Sequence, residues 1–224
     1  MPKNQHADIE WRDGGLPVSV QFNDPYFSMH DGLAETRYVY LGGNGLPARF
    51  APGFHIAELG FGTGLGLMVA IVAWRESGQS GPLRFTSFEA FPMRAEDMAK
   101  ALEAFPEVKE VAGPILDALS AGETIVETND VIAEIVLGDA RKTVPIWPHK
   151  ADAWFLDGFA PAQNPELWEE PLMQAVAAHT TPNGTFATYT AAGAVRRSLQ
   201  DAGFMVTRQT GFGHKRHMSI GVLA

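Results

Sequence analysis

The sequence predicts an α/β fold with one mostly parallel, Rossmann-like sheet and helices on both of its faces. An apolar stretch at 54–59 runs into four glycines within seven positions, and a long apolar stretch at 65–74 follows, as expected for strand, turn and helix. Strand-like and helix-like stretches alternate from there onward. The last two strand-like stretches, 205–209 and 217–222, form a hairpin, which predicts that the final strand is antiparallel.

The composition is that of one compact globular unit. Hydrophobic residues make up 46% and charged residues 19% of the 224 residues, and no stretch is long enough to span a membrane. The polar N-terminus lacks the apolar core of a signal peptide, so we expect a soluble, cytoplasmic protein. The absence of cysteine excludes disulfides, thiolate zinc sites and cysteine nucleophiles, and we name no metal ligands.

The charge balance bears on the class of substrate. The formal net charge is −9, from 26 acidic and 17 basic residues. Indiscriminate binding of nucleic acid requires clustered Lys and Arg, so the total charge counts against it. A local basic face on an acidic protein stays compatible with this total.

Residues 1–50 are predicted to form an extension and hairpin lobe ahead of a core at 51–224. Residues 1–12 have the composition of a frayed polar terminus, and 38–41 is strand-like before the glycine turn at 42–45. This lobe either lies over a ligand site or merely protects an edge of the sheet. Spacing alone does not separate the two.

The glycine stretch reads Glu58-x-Gly60-x-Gly62-x-Gly64. A dinucleotide site needs Gly-x-Gly-x-x-Gly, whose last position falls here on Leu65 or Leu67. The pattern instead resembles motif I of the class I S-adenosylmethionine-dependent methyltransferases, whose ligand has a cationic amino and sulfonium end that suits an acidic residue. The alternative is a tight turn that binds no ligand.

Glu89 ends the next predicted strand, 83–88, roughly 20 residues beyond the glycine turn, where it is placed to accept hydrogen bonds from ribose hydroxyls. The alternative is a solvated carboxylate at a strand end. Asp139 follows a strand-like stretch at 131–137 and suits an adenine amine, but it suits equally well the cap of a helix that begins near Arg141.

Asp157 follows a buried strand predicted at 153–156. Ligands of open parallel sheets bind beyond the carboxyl ends of the central strands, so Asp157 should point into that crevice. The alternative, capping the helix near Pro165, would need a much shorter spacing. We therefore favour a functional role for Asp157.

The remaining elements complete the alternation. The predicted helices are 91–105, 106–122 with an interruption at 113–114, 166–179, and 191–202, which carries Arg196 and Arg197. The predicted strands include 124–127 and 185–190, the latter after a turn at 181–184.

Several motifs together resemble one family, the methyltransferase domain of the enzymes that make 5-methylaminomethyl-2-thiouridine in tRNA (MnmC, or MnmD when separate). The resemblance runs from about residue 17 to the end and implies a seven-stranded class I methyltransferase sheet. The motifs are DPYFS at 24–28, DGLAETRYV at 31–39, GGNGLP at 42–47, ELGFGTG at 58–64, WFLDGFAPA at 154–162, NP at 164–165 and GFG at 211–213.

The resemblance implies methylation of the primary amine of 5-aminomethyl(-2-thio)uridine at the tRNA wobble position, with S-adenosyl-L-methionine as methyl donor. Many relatives carry a flavin-dependent oxidase domain that prepares this amine. The chain resembles the stand-alone form, for which a separate oxidase would be a partner. The alternative is that the sequence is a part of a longer protein. His214 and His217 depart from the family pattern, which weakens RNA-contact predictions there.

Residue roles follow from the same resemblance and from the spacing. Asp157 is the candidate catalytic residue, which orients the amine and takes up its proton. The candidate cofactor-binding residues are Tyr26, Glu35, Glu58, Gly60, Gly62, Thr63, Gly64, Glu89, Asp139 and Ala140. The candidate substrate and RNA contacts are Phe159 as a base platform, Pro161, Lys215, Arg216 and Arg196, with surface charge as the alternative for the basic residues.

Two other functions stay open at this point. One is a class I methyltransferase that acts on a small-molecule or protein amine, which the net charge favours. The other is a nucleotide-binding module without catalysis, or a dehydrogenase, against which the glycine spacing argues.

Overall fold

The computed structural model describes residues 6–12, 14–28 and 31–224. The chain begins with a small antiparallel sheet of three strands, β1 Ile9–Arg12, β2 Leu16–Ser19 and β3 Asp24–Pro25. The prediction of a frayed terminus at 1–12 is therefore wrong for Ile9–Arg12, and residues 1–5 lie outside the described residues. The backbone of Val20 donates to Asp8 O, which ties the two ends of the first hairpin together.

A helical segment replaces the predicted strand at 38–41. Helix α1, Gly32–Thr36, begins at Asp31, whose side chain accepts a hydrogen bond from the Ala34 N–H at 2.9 Å, and continues into a π-helix, Arg37–Gly42. Val39, Tyr40 and Leu41 are all buried, whereas a half-exposed strand would alternate. The β-branched and aromatic residues that suggested a strand serve here as the packing face of a helix.

The main sheet has eight strands in the order β10-β11-β9-β8-β4-β5-β7-β6. These are β4 His55–Leu59, β5 Leu83–Glu89, β6 Ile125–Glu127, β7 Val131–Leu137, β8 Ala151–Leu156, β9 Thr180–Thr188, β10 Phe204–Thr210 and β11 His217–Leu223. Strands β7, β5, β4, β8 and β9 pair in parallel, and β11 inserts antiparallel between β9 and β10. The predicted antiparallel last strand is confirmed. The predicted count of seven is one short, because β6 adds an antiparallel edge beside β7.

Helices cover both faces of this sheet, as predicted. They are α2 Leu65–Ser77, α3 Ala95–Leu102, α4 Lys109–Ser120, α5 Ala140–Thr143, α6 Glu170–Ala178 and α7 Gly193–Asp201. Neighbouring residues of β4 point to opposite cores: Ile56 packs with α2 to α4 in one cluster, and Ala57 packs with α6 and α7 in the other. The core is thus divided by the sheet into two layers.

Several predicted boundaries differ from the structure. The helix predicted from 91 begins at Ala95, and α4 runs without interruption through Pro114, which costs one backbone hydrogen bond but does not break the helix. The helix predicted at 166–179 is divided, because Glu169 is extended between a 3-10 turn, Pro165–Trp168, and α6. The turn predicted at 181–184 is an irregularity within β9. In the described part of the chain, no helix is long and apolar enough to cross a membrane.

Candidate functional site

A cavity of about 780 Å³ lies between the three-stranded N-terminal sheet and the carboxyl ends of β4, β5 and β8. Its wall contains most of the predicted site residues, namely Tyr26, Glu35, Gly60, Gly62, Thr63, Glu89, Asp139, Ala140, Asp157, Phe159 and Lys215. Five predicted residues are not part of this wall, namely Glu58, Gly64, Pro161, Arg216 and Arg196.

The glycine loop is fixed by backbone conformation and by close packing. Gly60, Gly62 and Gly64 have φ values of +88°, +53° and +76°, a region that disfavours residues with a side chain. A Cβ on Gly60 would also collide with the carbonyl oxygen of Asp157. The loop after β4 and the loop after β8 can therefore touch only because residue 60 is glycine.

Glu58 is buried beneath this loop. Its Oε2 accepts a hydrogen bond from Ser87 Oγ at 2.7 Å, and burial raises the pKa of Glu58 well above its ordinary value. A Cβ on Gly66 would collide with Oε1 of the same carboxyl group. The fourth glycine of the stretch thus makes room for Glu58 against the first turn of α2.

Glu89 ties the glycine loop to the end of β5. One of its oxygens accepts the Gly62 N–H at 3.1 Å, and the other accepts the Phe91 N–H at 2.8 Å. A carboxylate has about four acceptor positions, so Glu89 keeps capacity for hydroxyl donors from a ligand. This geometry differs from a merely solvated carboxylate at a strand end.

Asp139 caps α5, which is the alternative that the sequence left open. Its Oδ1 accepts the Arg141 N–H at 3.0 Å, and Oδ2 lies 2.9 Å from an Arg141 guanidinium nitrogen. The hydrogen bond from the Arg141 side chain is the main reason that the pKa of Asp139 is lowered. Asp139 and Ala140 also line the cavity, so capping does not remove them from the site.

Asp157 lies at the end of β8 with its side chain in the cavity wall. Burial raises the pKa of Asp157 to about 7, against an ordinary value of 3.8. The negative charges of Glu35 and Asp24 raise this pKa further, whereas Tyr40 and Lys215 lower it. A carboxyl group in this environment can exchange a proton near neutral pH.

Tyr40 is a neighbour of Asp157 that sequence reasoning missed. Its hydroxyl is buried and forms no hydrogen bond of standard geometry with the described residues. It nevertheless lies close enough to Asp157 that each group shifts the pKa of the other. The side chain reaches the cavity from the π-helix, at a place where the residue types predict a strand. Because a strand was predicted there, Tyr40 was not recognised as a residue of the site.

The loop after Asp157 is held by three hydrogen bonds, two of them from distant parts of the chain. The Tyr189 hydroxyl donates to Gly158 O at 2.8 Å, Trp168 Nε1 donates to Phe159 O at 2.9 Å, and the Ala160 N–H donates to Asp24 Oδ2 at 2.8 Å. The last bond joins the N-terminal sheet to the Asp157 side of the cavity. Such fixed loops are suited to holding a reacting group in place.

Aromatic rings surround Phe159. Its ring stacks on Phe22 with centroids 4.8 Å apart, and it meets Tyr26 edge to face at 5.0 Å. Part of the ring surface is therefore already packed, which limits the platform predicted for a base.

The predicted basic contacts lie in different places. Lys215 Nζ is 2.7 Å from Glu35 Oε1 and 4.4 Å from the centre of the Tyr189 ring, within the cavity wall. Arg216 is exposed, and Arg196 Nε donates to Ala191 O at 3.4 Å. Of these three basic residues, only Lys215 lines the cavity.

Comparison with known proteins identifies the family. The sequence model of a family described as S-adenosyl-L-methionine-dependent methyltransferase matches residues 103–224, more than half of the chain. The chain belongs to this family. Its members use S-adenosyl-L-methionine, as the glycine stretch and the motifs predicted.

Two curated relatives carry the name tRNA 5-methylaminomethyl-2-thiouridine biosynthesis bifunctional protein MnmC. The one from Hahella chejuensis (strain KCTC 2396) is 42% identical over 99% of this chain and 37% of its own length. The one from Caulobacter vibrioides (strain ATCC 19089 / CIP 103742 / CB 15) is 43% identical over 94% of this chain and 37% of its own length. The chain thus spans little more than a third of these relatives.

A solved structure supports the same fold. The crystal structure of MNMC2 from Aquifex aeolicus superposes with a TM-score of 0.79 and 26% sequence identity, covering 99% of this chain and 72% of the other. The predicted class I methyltransferase fold is confirmed.

The cavity fits the family's cofactor. Its volume lies within the range of about 300–1,000 Å³ that is typical of small-molecule sites. Its wall is rich in carboxylates, which suits a ligand with a cationic end, and its rim is formed by a glycine loop at the start of α2. The donor set and the cradle are thus those that S-adenosyl-L-methionine requires.

Proposed function

We propose that this protein transfers a methyl group from S-adenosyl-L-methionine to the primary amine of 5-aminomethyl(-2-thio)uridine at the tRNA wobble position. The observation that carries the proposal is the position of the Asp157 carboxyl group, which lies in the cavity wall at the end of β8, where burial raises its pKa to about 7. The names of the MnmC relatives point to the same nucleoside.

The cofactor residues of the proposal lie on the side of the cavity formed by β4 and β5. Gly60, Gly62 and Thr63 would face the methionine end, and Glu89 would accept the ribose hydroxyls. Asp139 and Ala140 would border the adenine. Glu58 and Gly64 would act through the loop that they support, since neither lines the cavity.

The chemistry assigned to Asp157 is to orient the amine and to receive its proton. When bound, S-adenosyl-L-methionine supplies a methyl group made electrophilic by its sulfonium. The amine must reach it deprotonated and aligned to within about 3–3.5 Å. An ionised Asp157 accepts the proton that the ammonium loses and becomes neutral, and the backbone carbonyls of the loop after Asp157 would then stabilise the new positive charge. Tyr40 would orient the carboxylate by donating to it.

The residues proposed to contact RNA lie in different parts of the site. Phe159 and Pro161 belong to the stiff loop after Asp157, where a flipped base would need support. Arg216 and Arg196 are candidates for phosphate contacts from outside the cavity, whereas the ammonium of Lys215 is engaged with Glu35. The alternative, a small-molecule or protein amine as substrate, draws its support from the net charge of −9.

Two cellular features belong to the same proposal. The relatives are bifunctional proteins, of which this chain matches little more than a third. The aminomethyl group would be supplied by a flavin-dependent oxidase activity, on a separate protein or on a further domain. Since tRNA is the substrate, the reaction would take place in the cytoplasm.

The test is a methyl-transfer assay with S-adenosyl-L-methionine and tRNA that carries 5-aminomethyl-2-thiouridine, followed by mass spectrometry of the nucleosides. We expect conversion to the methylaminomethyl nucleoside, and none when the amine of the same tRNA has been acetylated. If S-adenosylhomocysteine binds but the unblocked tRNA is not converted, the tRNA assignment falls. Conversion of free 5-aminomethyluridine as fast as of the tRNA would favour a small-molecule substrate.

A further inference from the structure

Three charged groups meet in the cavity wall at the end of β8. Glu35 on α1 and Asp157 at the end of β8 are both in the wall, and the Lys215 ammonium lies 2.7 Å from Glu35 Oε1. The Glu35 side chain is 11% exposed and that of Lys215 is 46% exposed. A nearly buried carboxylate is thus covered by a cation that can swing into solvent.

The backbone of Lys215 is held while its side chain reaches inward. In the turn between β10 and β11, the Lys215 N–H donates to Phe212 O at 3.0 Å, and a Cβ on Gly211 would collide with the Lys215 carbonyl oxygen. Its Nζ lies over the Tyr189 ring at 4.4 Å. One carboxylate and one aromatic face therefore surround a primary ammonium, which is a common way to recognise such a group.

The cavity wall contains few other cations. Among the described residues that line it, Arg141 is the other positive group, and it is engaged with Asp139 at 2.9 Å and Glu169 at 3.5 Å. Lys215 is therefore the counter-ion on the side of Asp24, Glu35 and Asp157. Removing it would leave carboxylates facing one another, and any cation that replaced it would gain their attraction.

We propose that Glu35, together with Asp157 and the Tyr189 ring, is the recognition site for the substrate's primary ammonium group, and that Lys215 occupies this site until the substrate displaces it. The inference rests on the proposed function, because it takes an amine as the reacting group. It assigns Glu35 to the substrate, whereas the family resemblance suggested the cofactor. Lys215 becomes an internal mimic of the substrate.

Selectivity follows from this arrangement. A ligand with an ammonium group exchanges one cation for another and keeps Glu35 and Asp157 neutralised. A hydroxyl in the same place would leave Lys215 as the better partner, and a carboxylate would be repelled. The site thus prefers 5-aminomethyluridine over its 5-hydroxymethyl analogue.

The groups that act on Asp157 come from every neighbouring element, so each must be considered in a titration. They are Asp24 on β3, Glu35 on α1, Tyr40 on the π-helix, Glu58 on β4, Tyr189 after β9 and Lys215 in the last turn. Of these, Glu35 raises and Lys215 lowers the pKa of Asp157. Neutralising Glu35 should therefore lower the pKa of Asp157, and neutralising Lys215 should raise it.

The first experiment measures binding of 5-aminomethyluridine and 5-hydroxymethyluridine, as free nucleosides, to the protein saturated with S-adenosylhomocysteine. We expect wild type to bind the aminomethyl nucleoside more tightly than the hydroxymethyl one. In Glu35→Gln, the ratio of the two affinities should fall by about tenfold or more. Lys215→Met should bind the aminomethyl nucleoside about fivefold more tightly, since its internal competitor is gone. The matched controls are the exposed Glu123→Gln and Lys109→Met.

Three results would overturn the proposal. In wild type, the aminomethyl nucleoside could bind no better than the hydroxymethyl one. Lys215→Met could weaken its binding. Glu35→Gln could instead weaken S-adenosylhomocysteine, which would return Glu35 to the cofactor.

The second experiment needs no ligand. The carboxyl carbon of Asp157 is titrated by NMR, and we expect its midpoint to rise in Lys215→Met and to fall in Glu35→Gln, with the two controls unchanged. No movement in either variant would contradict the shared charge cluster. If recognition behaves as described but tRNA is not methylated, the binding site stands and the proposed reaction falls.

Discussion

The carbonyl oxygen of Asp157 lies against the Cα of Gly60, so closely that a Cβ at position 60 would collide with it. This contact joins the end of β4 to the end of β8, the two central parallel strands, and it brings the glycine loop and the Asp157 carboxyl group to the same cavity. Cofactor binding and catalysis should therefore both depend on the absence of a side chain at position 60.

We expect Gly60→Ala to unfold more easily and to bind S-adenosylhomocysteine at least tenfold more weakly. The positive φ alone costs about 1–2 kcal/mol, and the collision adds to this and displaces the loop. Calorimetric titration and thermal unfolding measure the two effects. Gly53→Ala is the matched control, since Gly53 has a φ of +81° but an open surrounding. Equal losses in both variants would show that the contact with Asp157 has no importance of its own.

Gly66→Ala should destabilise the protein even though alanine is the better helix former. Its Cβ would collide with Glu58 Oε1 under α2. In a Glu58→Ser background, the collision is absent and the same change should be neutral or stabilising by about 0.5–1 kcal/mol. Urea unfolding of the four proteins gives the coupling between the two sites.

Gly113→Ala serves as the control for this cycle. Gly113 lies inside α4, and a Cβ added there would meet no heavy atom within 4 Å outside its own helix and its chain neighbours, while Pro114 disfavours a helical alanine before it, so the change should have the same effect on stability in both backgrounds. A Gly66→Ala penalty that persisted without Glu58 would refute the explanation of the fourth glycine.

The sequence predicted the parts of the site that are encoded locally. The β4 strand, the glycine loop and α2 follow one another within a short stretch, and Asp157 directly follows an apolar strand. The strand predicted at Tyr38-Val39-Tyr40-Leu41 is wrong, because these residue types favour a strand locally while tertiary packing favours the π-helix. That packing is seen in the close contact of Gly43 with Ala187.

Contacts between distant residues could not be predicted from spacing. The hydrogen bond from Ala160 to Asp24 spans 136 positions, and the ion pair of Lys215 with Glu35 joins the last turn of the chain to α1. Tertiary structure alone brings these groups together. The sequence therefore left surface charge as an explanation for Lys215, although its side chain lies in the cavity wall.

His55 should make the protein sensitive to acid. Burial lowers the pKa of His55 to about 3, assisted by the charges of Arg84 and His149. Above pH 6.5 the ring is neutral in both states and contributes nothing. Below that value His55 is protonated in the unfolded chain but stays neutral in the folded protein. The free energy of unfolding therefore falls by about 1.4 kcal/mol per pH unit down to about pH 3.

Urea unfolding between pH 4 and pH 7 tests this prediction. The His55→Gln variant can still form a hydrogen bond with Thr86 Oγ1. We expect the slope of its unfolding free energy against pH to correspond to about one proton fewer bound on unfolding than in wild type. An unchanged slope in His55→Gln would contradict the assignment.

Asp157→Asn should abolish most methyl transfer and yet stabilise the fold. Because the folded-state pKa is about 7 against an ordinary 3.8, ionising Asp157 in the folded protein is unfavourable. This cost is absent below about pH 4, grows as the pH rises, and is complete above pH 7. Asparagine removes it, so the variant should be more stable than wild type by about 1–3 kcal/mol at pH 8 and by little at pH 4.

Turnover and stability of the same preparations distinguish this role from a structural one. We expect methylation to fall by about 10²- to 10⁴-fold while S-adenosylhomocysteine affinity stays near that of wild type. The exposed Asp117→Asn should change neither quantity. A loss of turnover with a loss of stability would mean that Asp157 mainly supports the fold. A gain in stability with normal turnover would mean that its buried charge serves another purpose, because an enzyme retains such a costly group at a site where the charge is used.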